Sequence, residues 1–216
     1  MVERNGVHIS KMTSKLEGLR AISTNTITNP YCNKQHTTGK SNNICTLCYS
    51  QAMLKTYRKN MQACLEHNSD FLSSKVHDME YLPVLLDAFI RFNAHGELIN
   101  VTHLTNLVNI AKKNPHCRCV LWTKRNDLVV KYFKGSQKPD NFVLIYSNPI
   151  ISTIMRKMPK HFDKTFNNVL VHEHVESQNC TGQKCKDCLL CYTKNNTTVI
   201  VEKVKNYYEN IKCTIY

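Results

Sequence analysis

Apolar positions recur at two spacings along this chain, and the alternation between them predicts its architecture. Leu104, Leu107, Val108 and Ala111 fall three or four residues apart, which predicts a helix over Val101 to Lys113 that Asn114-Pro115 stops. Met53, Tyr57, Met61 and Cys64/Leu65, with Lys55, Arg58 and Lys59 between them, predict another from about Tyr49 to Leu72. Further helical stretches are predicted around Asp78 to Leu86 and over Asp127 to Phe133. Short apolar runs predict strands at Phe89–Ala94, Cys117–Thr123, Asn141–Ser147 and Val169–His172.

Strands that alternate with helices, several with nearly continuous apolar runs, indicate an α/β fold with a parallel sheet. The expected form is an incomplete β/α barrel-like sheet with helices outside, or else an open doubly wound sheet. The first fifty residues are rich in Asn, Thr, Ser and Lys and read as irregular loop. The expectation is one domain over 1–216: a loop-rich segment 1–50, a β/α core 51–176 and a cysteine-rich segment 177–216 ending in a short strand or helix.

In either form ligands bind at the C-terminal ends of the strands. Asn93, His95 and Glu97 follow the first predicted strand, Thr123, Lys124 and Arg125 the second, Ser147 and Asn148 the third, and His172, Glu173 and His174 end the fourth. Strand alternation would turn His172 and His174 to one face and Glu173 to the other. His95, Glu97, Lys124, Asn148 and His172 are the candidate catalytic residues around a polar cavity, and His95, Glu97, His172, Glu173 and His174 could each supply an acid, a base or a metal ligand. For any one of the histidines a hydrogen-bonded structural role is the ordinary reading. No glycine-rich phosphate loop, Gly-x-Ser-x-Gly elbow or His-Glu-x-x-His motif is present.

Composition narrows the setting. The chain has 216 residues, 42% hydrophobic, enough for a substantial core. It has no apolar run of membrane-spanning length, and Met-Val-Glu-Arg-Asn-Gly at the start lacks the apolar stretch of a signal peptide, so a soluble, cytoplasmic protein is expected. Lys and Arg outnumber Asp and Glu by 29 to 16, a net charge of +13, which favours an anionic partner such as nucleic acid or a phosphorylated small molecule. The excess is spread over many segments, as ordinary solvated faces are.

Eleven cysteines in a reducing compartment point to metal rather than disulfides. Cys180, Cys185, Cys188 and Cys191 are separated by four, two and two residues, closer to a ferredoxin-type run than to a zinc ribbon. Lys184 and Lys186 flank them and would partly offset thiolate charge. Cys32, Cys45 and Cys48 form a second, less regular set, with twelve residues between the first two. Three ligands would leave a coordination position open for substrate or cofactor. Alternatively, Cys45 and Cys48 join the C-terminal thiols in one site that clips the chain ends together. The expected cofactor is an iron–sulfur cluster of the 4Fe–4S type, one or two per chain, with structural zinc as the alternative. Cys64, Cys117, Cys119 and Cys213 read as core thiols.

Ser14-Lys-Leu-Glu-Gly, Cys45-Thr-Leu-Cys-Tyr, Arg91-Phe-Asn-Ala-His-Gly-Glu, Val120-Leu-Trp-Thr-Lys-Arg, Ser147-Asn-Pro and Cys185-Lys-Asp-Cys-Leu-Leu-Cys-Tyr, in that order, resemble the gene product 88 family of bacteriophage proteins. The resemblance runs from about Ser14 to Val204. It implies a host-cytoplasmic protein distantly similar to radical S-adenosylmethionine enzymes, with a β/α barrel and cysteine-ligated iron–sulfur centres. S-adenosylmethionine as a cofactor would follow from that similarity, but the twelve-residue gap after Cys32 departs from the compact Cys-x-x-x-Cys-x-x-Cys loop of those enzymes. The function expected is therefore an iron–sulfur enzyme acting on a small molecule or nucleotide. The alternative is a non-catalytic nucleic-acid-binding or host-interaction protein with a structural metal.

Overall fold

The computed structural model describes residues 6–204, so Cys213 lies outside the described residues. Seven strands follow one another across a single sheet in chain order: β1 (Ser10–Lys11), β2 (Arg20–Ile22), β3 (Phe89–Phe92), β4 (Arg118–Thr123), β5 (Phe142–Ser147), β6 (Lys164–Val169) and β7 (Val199–Lys203). Only β1 is antiparallel; every other neighbour pair is parallel. Six helices accompany them: α1 (Pro30–Thr38), α2 (Tyr49–Lys55), α3 (Gln62–Ser74), α4 (Val101–Lys113), α5 (Asn126–Phe133) and the single turn α6 (Cys185–Cys188).

Register sorts the side chains into two faces. Ile22, Phe92, Leu121 and Leu144 align across β2 to β5, as do Ile90, Cys119 and Phe142, and all of them join the core formed with Leu72, Leu104, Leu107 and Val108 of the helices. Cys117 and Cys119 are buried in that core, as the sequence implies. The opposite face carries Arg91, Val120, Trp122, Val143 and Ile145. It is covered by Leu16, Leu19, Cys185, Leu189, Cys191 and Tyr192 instead of by long helices.

No ladder joins β7 back to β1, so the described residues form no closed barrel. The sheet is nevertheless strongly bent. Five strand spacings separate β2 from β7, roughly 24 Å on a flat sheet, yet Lys15, just before β2, hydrogen-bonds Glu202 on β7. The face without long helices is the concave one.

Helices α4 and α5 and strands β3 to β5 fall where the sequence pattern places them. Several other elements do not. The first fifty residues hold β1, β2 and α1 rather than plain loop; Asn29 caps α1 by accepting from Tyr31 N and Cys32 N, with Pro30 at the first helical position. The long helix expected over Tyr49 to Leu72 breaks into α2 and α3. Thr56 Oγ1 bonds back to the Ala52 carbonyl and Gln62 Nε2 caps the Leu54 carbonyl, which ends α2 between them. The stretch Asp78 to Leu86 is one 3-10 turn, Met79–Tyr81, followed by extended chain, because Leu82 precedes Pro83 and takes the extended backbone that proline imposes.

The strand expected over Val169 to His172 is β6, and it ends at Val169. Its Lys-Thr-Phe-Asn-Asn sequence hides a strand because its buried polar groups are satisfied by partners 12 to 33 residues away. Lys164 Nζ donates to Asn195 Oδ1 (2.7 Å) and the Thr197 carbonyl (2.5 Å), while Asn167 donates to the Ile200 carbonyl and accepts from Met155 N. His172, Glu173 and His174 therefore lie in the turn after β6. No helix among the described residues is long and apolar enough to cross a membrane.

Candidate functional site

At the C-terminal ends of β3 and β4 stands a buried carboxylate. Glu97 Oε1 accepts from Thr123 Oγ1 (2.5 Å) and Leu98 N (2.7 Å), and Oε2 accepts from Lys124 N (2.8 Å). Burial raises its pKa, and the charge of Lys124 together with these hydrogen bonds pulls the other way. Lys124 Nζ reaches Ser147 Oγ on β5 (3.1 Å). Burial works against its charge, but Cys45, Glu97, Cys32 and Cys48 together overcome this and leave its pKa raised.

Three cysteines gather around this pair from separate elements. Cys32 is in the first turn of α1, Cys45 in a 3-10 turn over Ile44–Leu47 that Asn43 caps, and Cys48 caps α2. The turn is tied to the end of β5 by the Asn43–Ile150 bridge and the Ile44 N to Pro149 carbonyl hydrogen bond (2.8 Å). Burial pushes the Cys32 and Cys45 thiols up, and Glu97 and the neighbouring thiols add to the shift. Only a cation can readily hold thiolates here, and Lys124 supplies one.

His95 is held beside this group. Its Nδ1 meets Ser50 Oγ (3.0 Å), its ring lies 6.0 Å from that of Tyr49, and burial, then Arg91 and Arg58, lower its pKa to about 4. It is a neutral imidazole at neutral pH. Asn148 spends its side chain on scaffold, donating to the Thr153 carbonyl and Asn167 Oδ1 and accepting from Ile150 N. His172 is exposed on its turn, and Glu173 closes that turn by accepting from Leu170 N and Ser152 Oγ. Of the five candidates, the structure thus brings Glu97 and Lys124 into direct contact.

The C-terminal thiols lie on the concave face. Cys180, Cys185, Cys188 and Cys191 line one cavity of about 20 Å³ with Lys15, Gln183, Tyr192 and Ile200. Leu189 adopts a left-handed backbone (φ 50°), which ends α6 after one turn and sends the chain back past Cys191. Lys15 Nζ donates to Cys180 Sγ (2.7 Å) and Gln183 Nε2 to Cys188 Sγ (3.4 Å). Burial raises the pKa of Cys180 and Cys185 and pushes Cys191 to about 12. Neither Lys15 nor Gln183 stands out in sequence, since Lys15 reaches a cysteine 165 positions away.

Donor type and number fit a thiophilic metal at this second set, because four soft ligands line one space and N–H donors already point at two sulfurs. The distances are looser: among the described residues no three His, Cys, Asp or Glu side chains are drawn together as a metal-holding group.

A family model described as gene product 88 matches residues 10–179. The match takes in Cys32, Cys45, Cys48, Glu97 and Lys124 and stops one residue before Cys180. No curated protein and no solved structure matches the chain.

Proposed function

The chain belongs to the gene product 88 family of phage proteins, and we propose that it is an iron–sulfur protein, an enzyme that acts on a small molecule or a nucleotide in the host cytoplasm. The observation that carries this reading is the convergence of Cys180, Cys185, Cys188 and Cys191 on one cavity, with hydrogen-bond donors on two of the sulfurs. Thiolates bind iron–sulfur clusters strongly, and N–H···S bonds tune such centres. A cluster bound there would supply one-electron chemistry.

The protein's own groups prepare the rest of the site. Lys15 holds positive charge against Cys180, and its pKa stays raised because Glu202 and Cys180 outweigh the cost of burial. At the strand ends Lys124 offers a cation to Cys32, Cys45 and Cys48, and Glu97 is locked by three donors. Those three thiols are the candidates for a centre with an open position. In this reading the bent sheet is an incomplete β/α barrel whose concave face receives the substrate. S-adenosylmethionine is left out, since Cys32 and Cys45 come from separate elements rather than from one compact loop.

Two observations favour a second reading, a non-catalytic protein with structural zinc and a nucleic-acid partner. The space between the C-terminal thiols suits one small ion, and Lys112, Arg118 and Lys194 line an open hollow of about 600 Å³. Anaerobic purification with iron, zinc and acid-labile sulfide analysis separates the two. The iron–sulfur reading expects a brown protein with matched iron and sulfide, lost in Cys188→Ala; colourless protein with one zinc per chain overturns it. Cys48→Ala then reports whether the two thiol sets share a centre, since equal loss in both variants means one centre and partial loss in each means two.

A further inference from the structure

The concave face holds one more unusual group. Arg91 projects from the middle of β3, between Ile90 and Phe92 of the core, onto the opposite face. Its guanidinium carbon lies 4.1 Å from the centroid of the Trp122 ring, and Tyr192 packs 5.5 Å from that same ring. Its charge reaches Tyr49 and His95 on one side and Cys185 and Cys191 on the other. Arg91 thus sits between the two thiol sets.

Three polar atoms here are shielded from solvent and lack a hydrogen-bond partner: Arg91 Nε, Trp122 Nε1 and the Tyr192 hydroxyl. Trp122 is 7% exposed and Tyr192 1%. The Tyr192 hydroxyl lies against the Arg91 guanidinium, which can only donate to it, so its own O–H has no acceptor. Buried donors are almost always satisfied, so these orphans call for a partner. Elsewhere the chain pairs such cations, Arg20 with Asp87 and Arg125 with Asp127. Among the described residues no carboxylate pairs with Arg91, although the residue is only partly exposed.

We propose that Arg91, Trp122 and Tyr192 form a recognition site for the carboxylate of a small-molecule ligand. A guanidinium presents adjacent N–H groups in a plane and grips a carboxylate at two points. The indole N–H and the phenol O–H are single donors that can complete the shell of a planar anion. One cation balances one negative charge, so a carboxylate fits better than a doubly charged phosphate. Trp122, stacked on the guanidinium, fixes its plane. The inference does not depend on metal at the thiols.

Trp122 is the chain's one tryptophan, so its emission reads the site directly. Protein of measured metal content is titrated with acetate, succinate or inorganic phosphate at constant ionic strength, with chloride as the reference. Saturable changes with acetate and succinate are expected, weakened about tenfold or more in Arg91→Lys, which keeps the charge but loses the fork, and weakened in Tyr192→Phe. A response equal to that of chloride, or one undiminished in Arg91→Lys, overturns the proposal. Saturation by phosphate at lower concentration than by either carboxylate overturns the choice of ligand. Arg91→Gln should abolish the response, and if it does not fold, Arg91→Lys with an unchanged circular dichroism spectrum carries the test alone.

Discussion

His103 is buried in the helix-covered core with one ring nitrogen satisfied. Nδ1 accepts from Ile99 N (3.3 Å), so the proton sits on Nε2, which has no partner. Burial lowers its pKa from 6.5 to about 3. Above pH 6.5 the ring is neutral in both folded and unfolded chains and adds no pH dependence. Below that, the unfolded chain takes up a proton that the folded one refuses, so stability falls by up to about 1.4 kcal/mol per pH unit until about pH 3. Urea midpoints measured from pH 7 to pH 4.5 should show this slope together with a like contribution from His95, so His103→Asn should reduce it without removing it. An unchanged slope in that variant assigns the pH dependence elsewhere. Nothing in the sequence marks His103 as a liability, because a histidine on an amphipathic helix reads equally well as exposed. Glu97 and Lys124 are different: both follow predicted strands, and that position alone placed them together.

Elements were legible where burial follows a simple period, as in α4 and β3, or a continuous apolar run, as in β4 and β5. They were hidden where polar side chains do the packing, as Lys164 and Asn167 do in β6, and where a cap rather than a stripe makes the helix, as Asn29-Pro30 does for α1. The junction after β3 is fixed by a single glycine. Gly96 has φ +82°, and a Cβ there would run into the side chain and carbonyl of Thr24 just beyond β2. The close approach lets Thr24 N bond the His95 carbonyl (3.1 Å) and holds His95 and Glu97 against the strand ends. Gly96→Ala meets both an unfavourable backbone and a backbone collision, and should cost at least about 3 kcal/mol by urea unfolding. Gly135, with open space around it, is the control: Gly135→Ala should change stability by less than about 1 kcal/mol.

For the molecule as a whole, the parallel α/β order was legible and the bend of the sheet was not, because the contact that records the bend joins positions 187 residues apart. The same contact explains why the cysteine-rich segment looked self-contained in sequence. Its first thiol, Cys180, bridges β7 at Glu202 and takes a hydrogen bond from Lys15 near the opposite edge, so the C-terminal ligand set is completed by the N-terminal strands. If the edges are held in this way, Lys15 and Glu202 must be energetically coupled. Both side chains are more than a quarter exposed, so screening limits the pair to about 1 kcal/mol. A double-mutant cycle of Lys15→Met and Glu202→Gln measures that coupling by urea unfolding. A value near zero would mean that the sheet keeps its curvature without the pair, and the bend would then rest on the packing of Tyr192 and Leu189 against Val120, Trp122, Val143 and Ile145. The same lysine favours the Cys180 thiolate, so Lys15→Met should slow alkylation of Cys180 relative to that of Cys64, which lies on α3 away from the edge contact.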